Sequence, residues 1–93
     1  SATRNKLFSI TQGFYRLNKV KEFQIASNLL IERSIKSKDS LNLAQGYRYK
    51  GNQLKNVLNS DSAFYYYFNS EKILKKIKEN ILRKIIIFLS LFK

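Results

Sequence analysis

The stretch EKILKKIKENILRKIIIFLSLFK, residues 71–93, decides how this chain folds. Ile73, Ile77, Ile81, Ile85, Phe88 and Phe92 recur every three or four residues, the spacing of one helix face. Leu74, Ile86 and Leu89 widen that face, and Lys72, Lys75, Lys76, Lys78, Arg83 and Lys84 make the helix strongly basic. Asn69 or Ser70 suits its N-cap, with Glu71 in the first turn, where the helix dipole favours a carboxylate. The apolar run at residues 85–92 is broken only by Ser90 and is far shorter than the roughly 20 residues of a spanning helix. A buried core helix is the preferred reading, although a basic and apolar helix can also lie on an anionic membrane. As core, its Ile stripe holds the C-terminal part together, and Ile81→Ala costs about 2–5 kcal/mol.

Upstream, residues 63–68 (Ala-Phe-Tyr-Tyr-Tyr-Phe) form a dense aromatic patch, expected to pack into the core. Residues 59–62 read as a turn or cap. Residues 52–58 read as a short helix with Leu54, Val57 and Leu58 inward. Residues 39–51 stay open between helix and loop, because Gly46 and Gly51 favour a break. Residues 22–38 give a clear helix, with Phe23, Ala26, Leu29, Leu30 and Ser34 on one face, widened by Ile25 and Ile31. Glu22 lies toward its N-terminus and Arg33, Lys36 and Lys38 toward its C-terminus, as the dipole prefers. Residues 4–11 suit a short helix with Leu7 and Phe8 on one side, and Gly13 is a natural cap or bend. Phe14 and Tyr15 then lie among the basic residues Arg16, Lys19 and Lys21. Cations beside aromatic rings suit RNA, since charges meet phosphates while rings stack on bases.

The whole chain has 93 residues, 18 Lys and Arg against 6 Asp and Glu, and a net charge of +12. It has no Pro and only three Gly, so helix breakers are scarce and the chain reads as all-α. His and Cys are absent, which excludes zinc fingers, thiol chemistry, disulfides and histidine bases. The carboxylates Glu22, Glu32, Asp39, Asp61, Glu71 and Glu79 are scattered too widely for a carboxylate-rich metal loop. Nothing argues for an enzyme, a cofactor or a small-molecule substrate. The first residues lack the apolar run of a secretory signal. Lys, Asn and Ile make up 32 of the 93 residues, which points to an A/T-rich gene and discounts part of the charge.

Three segments together resemble one family. Arg4-Asn5-Lys6-Leu7-Phe8-Ser9-Ile10-Thr11-Gln12-Gly13-Phe14 is similar to Arg-Asn-x-Val-Phe-x-Leu-Ala-Lys-Gly-Phe, near the start of mitochondrial members of the bacterial-type large-subunit ribosomal protein twenty family. Phe23-Gln24-Ile25-Ala26 and Leu30-Ile31 resemble its Tyr-Arg-Leu-Ala and Val-Ile, with one residue inserted between. Leu74-Lys75-Lys76 and Arg83-Lys84-Ile85 resemble its Leu-Lys-Lys and Arg-Lys-Val, nine residues apart as in the family. The chain departs from the pattern in three places. The family's central basic run is reduced to Arg48 and Lys50, its Trp is missing, and its Ala-Asp-Leu-Ala becomes Ile87-Phe88-Leu89-Ser90.

The resemblance implies a basic N-terminal extension leading into a long helix and then a small C-terminal helical domain. Here these correspond to residues 1–21, 22–50 (straight or kinked) and 51–93. It implies a structural component of the mitochondrial large ribosomal subunit, or that of another organelle, with no catalytic activity. Such a protein binds and organises large-subunit ribosomal RNA, touches neighbouring ribosomal proteins and supports subunit assembly. A membrane partner is not expected. Arg4, Lys6, Arg16, Lys19 and Lys21 are the foremost phosphate contacts on an arm expected to be disordered until RNA orders it. Gly13 would let the backbone turn closely against RNA, and Phe14 and Tyr15 would pack or stack. Asn5, Gln12, Arg33, Lys36, Lys38, Arg48, Lys50, Arg83 and Lys84 complete the candidate RNA-binding set. The rival expectation is an accessory subunit of an organellar membrane complex, using the basic amphipathic C-terminal helix.

Overall fold

The computed structural model describes residues 2–56 and 60–91. It contains four helices: α1 (Ala2–Arg16), α2 (Val20–Lys36), α3 (Ser40–Asn56) and α4 (Ser60–Ser90). Described residues outside them lie in the short turns and at residue 91, so the all-α reading holds. The expected order of extension, long helix and small domain is not confirmed by these four helices. The basic extension is itself a helix, α1, packed on α2 and α3. The expected helix over 22–50 is divided at residues 37–39, and α3 runs across the expected boundary at 50–51. The expectations for Val57, Leu58, Asn59, Phe92 and Lys93 lie outside the described residues.

The two described turns are built alike, and neither uses glycine. At the end of α1, Asn18 has φ 55, its N–H donates to the Tyr15 carbonyl at 3.1 Å, and the Lys19 N–H donates to that of Phe14 at 2.9 Å. At the end of α2, Lys38 has φ 55, its N–H donates to the Ile35 carbonyl at 3.2 Å, and the Asp39 N–H donates to that of Ser34 at 2.8 Å. These paired bonds are the Schellman closure of a helix end, with a left-handed residue just past the last turn. Gly13, Gly46 and Gly51, expected to bend or break the chain, all lie inside helices, and none has positive φ.

Such short turns fold each helix back on the last. Tyr15 of α1 meets Phe23 of α2, and Asn28 of α2 meets Lys50 of α3, so those neighbours run antiparallel. Contacts from Arg4 to Asp39, Asn5 to Asn42 and Tyr15 to Asn56 make α1 and α3 parallel. α4 runs back along α3, with Tyr67 at Asn52 and Ser70 at Ala44.

The core is narrow and made largely of small side chains. Phe23 and Leu30 are its largest fully buried apolar members, joined by Ala26, Ala44, Tyr49 and Ala63. The face read for residues 22–38 is confirmed at Phe23, Ala26, Leu30 and Ser34, with Leu29 half-buried. Ile25 instead points to solvent. Helix α3 comes close to its neighbours through glycine. A Cβ on Gly46 would lie 2.9 Å from Ile31 Cγ1, and one on Gly51 would lie 3.0 Å from the Tyr67 ring. The aromatic patch divides by helical periodicity. Ala63 is buried and Tyr66 and Tyr67 are half-buried, while Phe64, Tyr65 and Phe68 are exposed.

The C-terminal half of α4 does not join the core. Leu74 still lines a depression with Leu41 in the second residue of α3, but every described side chain from residue 78 to 91 is exposed. The reason is length. α3 ends where α4 continues for residues 75–90, about 24 Å at 1.5 Å per residue. The extents of 55 × 29 × 22 Å and the radius of gyration of 15.7 Å record this projection. A compact chain of this length would have a radius near 12 Å. The Ile stripe therefore continues the packing face past the end of its partner helix, and its expected burial at Ile81 and Ile85 is corrected.

Two comparisons of melting temperature check this account. Leu30→Ala removes a side chain of 0% exposure and should cost about 2–5 kcal/mol. Ile81→Ala, at 53% exposure, should stay within about 0.5 kcal/mol of the parent. Gly13→Ala adds a Cβ that meets nothing within 4 Å, and should stabilise by roughly 0.5–1 kcal/mol. Gly51→Leu drives a side chain into the Tyr67 ring and the Ala63 carbonyl, and should destabilise by about 1–3 kcal/mol or more.

Candidate nucleic-acid interface

The α1–α2 turn brings the first basic and aromatic segment to one corner of the bundle. The Schellman closure holds Phe14 and Tyr15 in the last turn of α1 and places Lys19 at the N-cap of α2. Because α1 and α3 are parallel, the last turn of α3 arrives at the same corner. There the Asn56 side-chain amide donates to the Tyr15 hydroxyl at 3.3 Å. Phe14, Tyr15, Asn18, Lys19, Val20, Phe23, Gln53 and Asn56 line a cleft of about 170 Å³. Tyr15 is fixed on two sides, its ring centroid 5.6 Å from Phe23 and 5.2 Å from Tyr49. Arg16, Lys19, Lys21 and Lys55 are exposed around this corner, and none of them is in an ion pair among the described residues. Lys19 gives α2 no side-chain cap, so the first N–H groups of that helix have no capping side chain. Glu22 sits in the same first turn.

Of the expected RNA-binding residues, Phe14, Tyr15, Arg16, Lys19 and Lys21 thus come together. Asn18, Gln53, Asn56 and Lys55 join them without having been singled out. Asn18 had a local signal, as an asparagine at a helix end tolerates the left-handed region. The three residues of α3 had none, because only the parallel pairing of α1 and α3 brings them here.

The opposite end of the bundle treats its polar groups differently. Arg4 Nε donates to Asp39 Oδ2 at 2.6 Å, with both side chains mostly buried. Asp39 Oδ1 accepts the Asn42 N–H at 3.2 Å and so caps α3. The Asn42 side-chain amide donates to Asp39 at 2.9 Å and to Asn5 at 2.8 Å. Arg4 and Asn5 therefore join α1 to α3. Gln12 does the same, donating to the Tyr49 hydroxyl at 2.6 Å. Lys6, Arg33, Lys36 and Lys38 stay exposed. Gly13 lies within α1 and makes no turn.

Arg48 and Lys50 lie mid-helix on α3. Arg48 stacks over the Tyr49 ring at 5.3 Å and stays exposed. Lys50 bridges helices, donating to Asn28 and lying 5.5 Å from the Tyr66 ring centre. Its burial pulls the ammonium below the ordinary lysine pKa. Arg83 and Lys84 ride on the projecting part of α4, away from the corner cleft. Among the described residues no group of acidic, His or Cys side chains could hold a metal ion. No described helix is long and apolar enough to cross a membrane. Comparison with protein families, with curated proteins and with solved structures gives no match.

The Arg4–Asp39–Asn42 cluster generates a pH dependence. Burial alone would raise the Asp39 pKa, but hydrogen bonds from Asn42 and Arg4 outweigh it and hold the carboxyl well below the usual range. Its stabilisation is therefore complete above the unfolded value of about 3.9 and declines as acid brings the pH down toward the folded value. Asp39→Asn keeps a capping side chain but loses the charge pairing. Denaturant melts should show that variant less stable at pH 7, with a shallower loss of stability below about pH 4 than the parent.

Proposed function

We propose that this chain is an architectural RNA-binding protein, a structural component of a mitochondrial large ribosomal subunit. In this reading it binds and organises large-subunit ribosomal RNA beside neighbouring ribosomal proteins in the matrix and supports subunit assembly. The observation that carries it is the corner where Phe14 and Tyr15 meet Arg16, Lys19, Lys21 and Lys55, on a chain of net charge +12. The family resemblance of residues 4–14 and 74–85 adds the ribosomal setting. The mechanism is electrostatic. Exposed cations neutralise phosphates of RNA segments that would otherwise repel, and released counterions drive binding. Rigid helices hold those cations at fixed spacing, so little side-chain carrier has to be ordered on binding.

A second reading is favoured by one feature, the exposed Ile85, Ile86, Ile87, Phe88 and Leu89 beyond Arg83 and Lys84. An apolar helix end behind a basic collar suits an anionic lipid surface, as in an accessory subunit of an organellar membrane complex.

The deciding experiment is sedimentation of the tagged chain with organellar ribosomes through a salt-containing gradient. Migration with the large subunit, lost after RNase, is the expected result. Lys19→Gln with Lys21→Gln should weaken that association and reduce its salt dependence. Absence from ribosomes, with flotation on anionic liposomes persisting at high salt, would replace the first reading by the second.

A further inference from the structure

We infer that the cleft at the α1–α2 corner accepts a single unpaired RNA base, turned out of its stack; this rests on the RNA-binding reading above. The cleft has two kinds of wall. Phe14 and Tyr15, both half-buried, supply aromatic surface on which a base of any identity can stack, and the buried Phe23 closes the floor. Asn18, Gln53 and Asn56 bring three carboxamides to the same space, each carrying both donors and an acceptor. A base offers the complementary pair of features, a flat face and an edge of mixed donors and acceptors. An acyl chain would leave the amides unused, and a lone anion would leave the rings unused.

The surroundings fit the rest of the nucleotide. Lys19 lines the cleft, Lys21 is exposed one residue beyond Val20, and the N-terminus of α2 has no side-chain cap. Phosphate is stabilised by lysine cations and by helix N-termini alike. The cleft is also set in place before binding. Tyr15 is held by Phe23, Tyr49 and Asn56, and Phe23 is 2% exposed. Paired A-form RNA cannot present a base face to such a cleft, so the site selects bulges and loops over continuous duplex.

The test uses the full chain and two RNA hairpins, identical except for one bulged nucleotide, with affinities read by fluorescence anisotropy. The bulged hairpin should bind about tenfold more tightly, within the range of one base–aromatic stack. With 2-aminopurine at the bulge, binding should quench its emission through stacking. Phe14→Ala should reduce the preference toward unity, and Phe14→Tyr should restore it. Gln53→Leu, which keeps the volume and removes the amide, should also lower it, with helicity checked by circular dichroism. Equal binding of both hairpins, or a preference that survives both Phe14→Ala and Gln53→Leu, overturns the base site and leaves the RNA reading standing. Failure to bind either hairpin overturns both.

Discussion

Helix α3 touches all three other helices, and two residues without side chains let α2 and α4 come close to it. Gly46 admits Ile31 of α2, and Gly51 admits the Tyr67 ring and Ala63 carbonyl of α4. Each glycine costs about 1 kcal/mol of helix propensity relative to alanine. Close approach offsets that cost with contacts and with one cross-helix bond, from Ser70 Oγ to the Ala44 carbonyl at 2.7 Å. With bulkier residues there, α2 and α4 would be pushed outward and the core between them would open. So small a core leaves many large side chains outside, including Ile10, Leu17, Ile25 and Ile35.

Register between α1 and α3 comes from polar pairs. Arg4 to Asp39, Asn5 to Asn42, Gln12 to Tyr49 and Tyr15 to Asn56 run along the seam in order. Directional bonds of this kind define one alignment, since a shift of either helix would leave part-buried polar groups such as Asp39, Asn42 and Gln12 unpaired. The same seam divides the basic residues by task. At one end Arg4 is spent on Asp39, and at the other Arg16, Lys19, Lys21 and Lys55 remain available to an anionic partner. The projecting part of α4 is a separate surface. It is basic from Lys75 to Lys84 and apolar beyond, and every described side chain from residue 78 onward is exposed.

Some of this was legible from residues alone. Helical spacing at Phe23, Ala26, Leu30 and Ser34 found the buried face of α2, and the interleaved aromatic and basic segment found Phe14, Tyr15 and Lys19 of the corner cleft. The glycines misled. As a local signal glycine means a turn, yet Gly46 and Gly51 serve close packing, and the turns fall at Asn18 and Lys38. The Ile stripe of α4 was correct as a pattern and wrong as a prediction of burial beyond Ile77.

Composition, charge and periodicity therefore determined that this chain is helical, strongly basic, without His or Cys chemistry, and amphipathic along most of its length. These are local properties, set by residue type and spacing within a few turns. Which faces are covered, which cations are paired, and that α3 completes the cleft with Gln53 and Asn56 depend on contacts between residues roughly 35–40 apart in sequence. Only the tertiary structure decided those, because burial and pairing are fixed by where the partner helix lies and where it ends.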